Sequence, residues 1–459
     1  MVGVDSVVAE PVAPAAPSPA RTRHWIFLVA LAGGATLRVL MLVAYWPAFW
    51  FQADSAMYIN ASTRLGNGSY GGANGLGYPV LLRLLSYTDS LAVVSILQHL
   101  AGLGLAVAIY VCLRRRGMPG WLATAATLPL LYDARVLGLE HYILSDTLFL
   151  VLTAGAMLLL IRRDRPSLAA SAAAGVLLSA AAVSRTVGVG VLAFVLLYLL
   201  IRWVGWQRLL AYALAVLVCF GGYLFYNRSQ SDSSALTSRP GAFLYSRTAQ
   251  IADCSKLRLT PRERALCPEQ PRNQRPERGD FYIWNDPDVA KAPDALAGAF
   301  AKQVMLQQPG DYLRLVFSDL GRYLLPGRQM GPATTCLAGW SMLPADPSRE
   351  PVLAGRCMPF LAGPGFQPGP LPPAQTEHSG LQQFLHGYSK WVYTPHTALG
   401  LAVLVSFVAL VWRPRRDRYR DALDAALFTG TALALLLAGV AVSLYSIRYG
   451  LPPAILLAI

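Results

Sequence analysis

Long apolar runs separated by short polar breaks dominate this chain, and their lengths predict helices that cross a membrane. A crossing helix needs about 20 apolar residues. Runs of that kind lie at 25–45, 91–112, 118–137, 143–161, 167–184, 187–204, 208–226, 391–412 and 421–444, and another begins at 450. The last run offers only LPPAILLAI, so either the sequence is clipped there, the favoured reading, or the chain ends within the membrane. The pattern predicts an all-α polytopic membrane protein of about ten or more transmembrane helices. It divides into a tail (1–24), a first transmembrane module (25–226), an outer segment (227–390) and the closing spans (391–459).

Composition agrees with this reading. Only 14% of the residues are charged and mean hydropathy is +0.42, which excludes an ordinary soluble enzyme. The formal charge of +14 could point to nucleic acid, but the basic residues sit in short runs beside apolar segments. Arg21/Arg23, Arg114–Arg116, Arg162–Arg165 and Arg413–Arg420 all fall on one side if the N-terminus is cytoplasmic, as the positive-inside rule requires. No nucleic-acid partner is expected; membrane lipids are. Richness in Arg, Ala, Gly and Leu suggests a high-GC bacterial genome, hence a multi-pass bacterial cell-membrane protein. Residues 1–20, rich in Ala and Pro, have nothing to bury and read as a disordered cytoplasmic tail without a signal peptide.

The outward pieces are then 46–90 (the first outer loop), a link near 133–142, a tight turn at Arg185, the long segment 227–390, and Ser446–Tyr449. Segment 227–390 is polar, rich in Pro and Arg, and too long for a simple loop. It is expected to be of mixed or irregular structure. Ala295–Gln308 and Asp311–Leu325 read as two helices interrupted by Pro309, the second amphipathic and fit to lie on the membrane surface or on the bundle. Four cysteines on the oxidising side suggest two disulfides. Proximity favours Cys254–Cys267 and Cys336–Cys357, with three pairings open; zinc is the rival, without CxxC spacing to support it. Cys112 and Cys219 lie within apolar spans. Trp284, Trp340 and Tyr282 could stack on sugar rings, though core packing is the plainer role.

Polar residues gather at the outer ends of the spans. In the first loop, Asp54 and Tyr58 stand four residues apart, on one face of a helix. Trp46, Trp50 and Phe51 frame Asp54, whose plain role is to cap a short interfacial helix. YDARVLGLEHYILSD supplies Asp133 and Arg135, readable as a surface ion pair, then Glu140 and His141. Ser145 or Asp146 there could cap the next helix; ionisable groups at a membrane boundary also tend to face a cavity or a partner. Arg185 in AVSRTVGVG and Arg448–Tyr449 in SLYSIRYGLPP complete the set, with snorkelling to headgroups as the plain alternative for both arginines. Read jointly, a carboxylate handles an acceptor hydroxyl while two arginines bind a phosphate.

The first loop, with Asp54, Tyr58, Ala61, Gly66 and then Gly77-Tyr78-Pro79, resembles that of GT-C glycosyltransferases, in the branch of protein O-mannosyltransferases and aminoarabinose transferases of actinobacterial type. LEHYILSDTLF, SRTVG and SIRYGLPP resemble further segments of the same family in the same order. The resemblance covers the membrane part, and matches segment 227–390 only loosely. It implies a GT-C-like bundle and transfer of a sugar from a polyprenyl-phosphate carrier to an extracytoplasmic glycan, lipid or protein, with inversion. It implies Asp54 as general base, Arg185 and Arg448 on the carrier phosphate, Tyr58 and Tyr449 beside the substrate, and Glu140 and His141 orienting sugar or acceptor. One departure is that the mannosyltransferases carry Asp-Glu where this chain has Asp54-Ser55. Some members use a divalent metal and others do not; Asp54, Asp133, Glu140 and His141 are available to hold one.

Two other function classes compete. A transporter or flippase of lipid-linked precursors usually carries its coupling charges mid-membrane, whereas these sit at span ends. A non-catalytic envelope-assembly protein explains a disulfide-bonded outer segment but not Asp54 beside a phosphate site.

Overall fold

The computed structural model describes residues 24–65, 75–230, 239–275, 289, 291–326, 342–344, 360–362, 365–366, 378–412 and 419–459. The chain is an all-α membrane protein. Among the described residues the one sheet is a two-residue antiparallel pairing of β1 (Phe49–Trp50) with β2 (Phe360–Leu361). Among the described residues, four helices are long and apolar enough to cross a membrane, or up to five if one bent pair counts as a span. Four shorter apolar helices join them.

The N-terminal half begins with α1 (Trp25–Ala44), followed in the first outer loop by α2 (Gln52–Arg64) and α3 (Gly77–Leu85). α4 (Ala92–Arg115) runs back through the bundle. The expected span 118–137 and the link at 133–142 are not seen. In their place stand three short helices, α5 (Gly120–Ala125), α6 (Leu128–Tyr132) and α7 (Ala134–His141). Local chemistry overrides hydropathy here. Pro129 has no N–H to continue a helix from α5, and Asp133 takes an extended conformation to accept the Arg135 N–H as N-cap of α7. The polar stretch read as an outer link is thereby a buried helix: Ala134 and Val136 through His141 are all shielded.

α8 (Asp146–Ile161), α9 (Leu168–Ser184) and α10 (Gly188–Ile201) follow the predicted runs closely. α11 (Trp206–Val216) continues through a π turn at Leu217–Gly221 into α12 (Gly222–Gln230), and most of this span faces outward. The described parts of the outer segment are more helical than expected: α13 (Pro240–Ala249), the turn α14 (Pro261–Arg264), α15 (Asp294–Gln307) and α16 (Pro309–Leu324). Pro309 occupies the first turn of α16, where its missing N–H costs nothing. α17 (Ser379–Trp391) and α18 (His396–Val411) meet at a 44° bend before α19 (Tyr419–Val442) and α20 (Ile447–Ala458).

Of the basic runs, Arg114–Arg116 and Arg162–Arg165 lie at one end of the bundle with Arg420, while Arg21, Arg23 and residues 413–418 lie outside the described residues. Arg116, after α4, pairs with Asp164, Asp421 and Asp424; Arg202, after α10, pairs with Asp424 and donates to the carbonyls of Asp164 and Arg420. Arg208 donates to the Pro166 carbonyl at 2.7 Å. At the other end the outer segment builds a second small core from Tyr245, Leu257, Leu266, Phe300 and Val304. The Cys254–Cys267 disulfide staples it, and buried Arg247 on α13 reaches Asp319 on α16 at 2.7 Å. α16 lies on the bundle, where the Tyr312 hydroxyl donates to the Ala441 carbonyl and that of Tyr323 to the Ser446 carbonyl. Cys112 and Cys219 are free thiols. Cys336, Cys357, Gly66, Tyr282, Trp284, Trp340 and the tail 1–20 lie outside the described residues.

Candidate active site

Five of the residues singled out in the sequence meet at one end of the bundle. Asp54 does not cap α2. That helix starts at Gln52 after Phe51, whose N–H donates to the Ser55 hydroxyl at 2.8 Å. Asp54 stands in the first turn, where the helix dipole favours a carboxylate, and accepts from Arg448 Nη1 at 2.5 Å. One turn on, the Tyr58 hydroxyl hydrogen-bonds Ser145 at 2.8 Å. Ser145 thus serves Tyr58 and makes no side-chain cap for α8.

Asp146 is the hub. It is 0% exposed at the first position of α8 and takes an arginine on each carboxylate oxygen. Arg448 donates Nε to Oδ2 at 2.9 Å, with Nη2 at 2.7 Å from the same atom. Arg185, at the corner between α9 and α10, closes on Oδ1 as an ion pair and not as an aligned hydrogen bond. The guanidinium of Arg185 also lies 5.6 Å from the Tyr449 ring centroid, and that of Arg448 lies 5.2 Å from the Phe51 ring. Two carboxylates and two guanidiniums therefore form one chain, Asp54–Arg448–Asp146–Arg185, whose charges sum to zero.

The corner that carries Arg185 is held by backbone contact from the first loop. A Cβ on Gly75 would fall 1.9 Å from the Val183 carbonyl oxygen, and one on Gly77 would fall 2.2 Å from Ser184 Oγ. Only glycine admits α3 this close.

A cavity of about 630 Å³ opens beside this chain of charges. All four charged residues line it, with Tyr58 and Tyr449. The rest of its wall is largely apolar: Phe149, Gly190, Leu435, Ala438 and Val442 from the membrane helices, and Phe243 from α13 of the outer segment. A charged end and an apolar flank suit an amphiphile with an anionic head.

Glu140 and His141 are brought elsewhere. Arg38 of α1 holds Glu140, whose Oε2 also meets His99 Nδ1 at 2.9 Å; His99 Nε2 meets His141 Nδ1 at 3.1 Å, and His141 Nε2 donates to the Tyr45 carbonyl. Both residues are enclosed and neither lines the cavity. Asp133 is not a surface partner of Arg135. It caps α7 and accepts the Thr394 N–H at 2.7 Å, while Arg135 stacks on Tyr393. The four candidate metal ligands are therefore spread over three places, and no group of three or more His, Cys, Asp or Glu suited to a metal occurs among the described residues.

In the sequence Asp146 reads either as a cap of α8 or as a boundary charge facing a cavity or partner, and it is not among the residues assigned to the substrate. The signal for more was present: a carboxylate opening an apolar run at a membrane boundary needs a partner. Arg38 and His99 were passed over inside apolar runs.

Neither a protein-family model nor a curated protein matches the chain. Among solved structures it is similar to the apo oligosaccharyltransferase of Archaeoglobus fulgidus (TM-score 0.46, 11% identity, 96% of this chain and 50% of that one). It is also similar to ArnT from Cupriavidus metallidurans bound to undecaprenyl phosphate (0.37, 14%, 95% and 76%). A third is the S. cerevisiae protein O-mannosyltransferase Pmt1–Pmt2 complex bound to the sugar donor (0.37, 14%, 57% and 38%). The chain thus spans half or less of the length of the first and third of these. At such scores the likenesses carry no chemistry, which rests on the site itself.

Proposed function

We propose that this protein is an integral-membrane glycosyltransferase that moves a sugar from a polyprenyl-phosphate carrier to the hydroxyl of an extracytoplasmic acceptor. The observation that carries the reading is the cavity with two arginines and two aspartates at one end and an apolar flank along the membrane helices. The carrier phosphate sits against Arg185 and Arg448, and its prenyl chain follows the flank formed by α10 and α19. In this reading the end of the bundle that holds Arg116 and Arg202 is cytoplasmic, as the positive-inside rule favours, and the site faces outward.

Asp54 is the base. Its carboxylate takes the proton of the acceptor hydroxyl as the oxygen attacks the anomeric carbon. The bond from that carbon to the phosphate oxygen breaks and its electron pair leaves on the phosphate. The two guanidiniums stabilise that charge, a contribution that usually dominates such catalysis. Attack opposite the departing phosphate inverts the anomeric carbon.

Radiolabelled polyprenyl-phosphate sugars supplied to the purified protein test this. Turnover by the wild type that disappears in Asp54→Asn, with carrier binding retained, supports the reading. Neither binding nor turnover across a broad donor panel overturns it in favour of a transporter or an assembly protein.

A further inference from the structure

The donor site is already full of its own counter-ions. Every guanidinium nitrogen of Arg448 faces a carboxylate: Nε and Nη2 face Asp146, and Nη1 faces Asp54. Arg185 turns its Nη1 to Asp146 Oδ1. A phosphate entering this neutral cluster adds net negative charge in a partly desolvated setting, which is unfavourable unless a carboxylate gives way. The two carboxylates differ in their freedom to do so. Asp146 is fully enclosed, opens α8 and is shared by both arginines. The Asp54 side chain is 30% exposed and, among the described residues, its ion pair is with Arg448 alone.

We propose that the donor phosphate displaces Asp54 from Arg448, so that donor binding and release of the catalytic base are a single exchange. This rests on the glycosyltransferase reading above and adds to it an order of events. Before the donor arrives, Asp54 is held as a counter-ion, with its Oδ2 lone pairs turned to a guanidinium. Once the phosphate takes the Nη1 donor, Asp54 is free to accept a hydrogen bond from the acceptor hydroxyl. The donor therefore binds first, and an acceptor that arrives early meets no competent base. Asp146 stays in place throughout as the fixed anion that spaces the two arginines.

The exchange makes a prediction of unusual sign. A residue that competes with the ligand for its partner weakens binding, and coupling between two such sites is reciprocal. Removing the Asp54 charge must therefore strengthen carrier binding. Undecaprenyl phosphate is the probe, with its affinity for the full-length protein measured in lipid nanodiscs for wild type, Asp54→Asn, Asp54→Ala and Arg448→Gln. Each variant is first checked for a cooperative thermal transition. Both Asp54 variants are expected to bind roughly fivefold tighter or more, the lower end of ordinary coupling, and Arg448→Gln to bind more weakly than wild type. Wild-type binding with Asp54 variants at or below wild-type affinity overturns the exchange and leaves the transferase reading standing. No binding by the wild type overturns both.

Discussion

Arg38 and Glu140 face each other as a planar fork, with Nε to Oε2 and Nη2 to Oε1 both at 2.8 Å and both side chains 2% exposed. The remaining Arg38 donors go to the carbonyls of Gly34, Leu130 and Leu131. α1, α6 and α7 are thereby tied together around a satisfied charge pair. Such a pair need not add net stability over apolar residues, but breaking it strands a buried charge.

Glu140→Gln should lower the stability of the purified protein by about 3–5 kcal/mol, the usual penalty for removing one member of a buried pair. Thermal unfolding in detergent measures the loss. Turnover per folded molecule should stay within a few fold of wild type, since Glu140 does not reach the cavity. A selective loss of turnover at unchanged stability would instead return Glu140 to the substrate.

Gly77→Ala should act on the donor site without touching it. A methyl there lands 2.2 Å from Ser184 Oγ and 2.9 Å from the Ser184 nitrogen, so α3 or the Arg185 corner must shift. Misplacement of a positioning group by about 1 Å can cost two orders of magnitude in rate. The expected outcome is a transfer rate lower by up to about 100-fold and a weaker affinity for undecaprenyl phosphate, with the fold intact.

Asp146→Asn removes the anion common to Arg185 and Arg448 and leaves two guanidiniums side by side. Stability should fall by about 3–5 kcal/mol, and transfer should be lost in the protein that remains folded. Restoring the carboxylate one methylene further out, in Asp146→Glu, should recover stability in part and transfer little, because the spacing of the arginines changes. Paired calorimetry and transfer assays separate the two effects.

The Cys254–Cys267 disulfide closes a short loop, with a sequence separation of 13, on the small core that carries Phe243 to the cavity. Loops of this size are stabilised by about 3 kcal/mol. The double variant Cys254→Ser/Cys267→Ser should make the outer segment more sensitive to limited proteolysis while leaving the membrane helices resistant. Digestion profiles of the two proteins in parallel give the answer.

Much of this was legible in the chain because membrane physics writes in long blocks. α1, α4, α9 and α10 fall within a few residues of their apolar runs. Where hydropathy misled, at 118–137, the overriding signals were single residues: Pro129 and the capping Asp133. Asp54, Arg185 and Arg448 stood out because each is an isolated charge at the edge of an apolar stretch. What they do to one another could not be read that way. Glu140 had the same appearance as Asp54, yet its partner Arg38 lies 102 positions earlier, hidden inside a span. A charge at a boundary announces that it has a partner, and only the fold says which.

Asp54 and Arg448 are separated by 394 positions, and Arg448 and Asp146 by 302. The site is therefore finished late in biosynthesis. α2 and α8 reach the membrane while the stretch that contributes Arg448 has yet to leave the ribosome, and until α20 inserts, Asp146 and Asp54 both lack this guanidinium. With Arg185 already beside Asp146, a half-made chain would present one carboxylate in excess and so repel an anionic lipid. On the glycosyltransferase reading, capacity to take up the carrier is thus reserved for molecules in which α20 is in place.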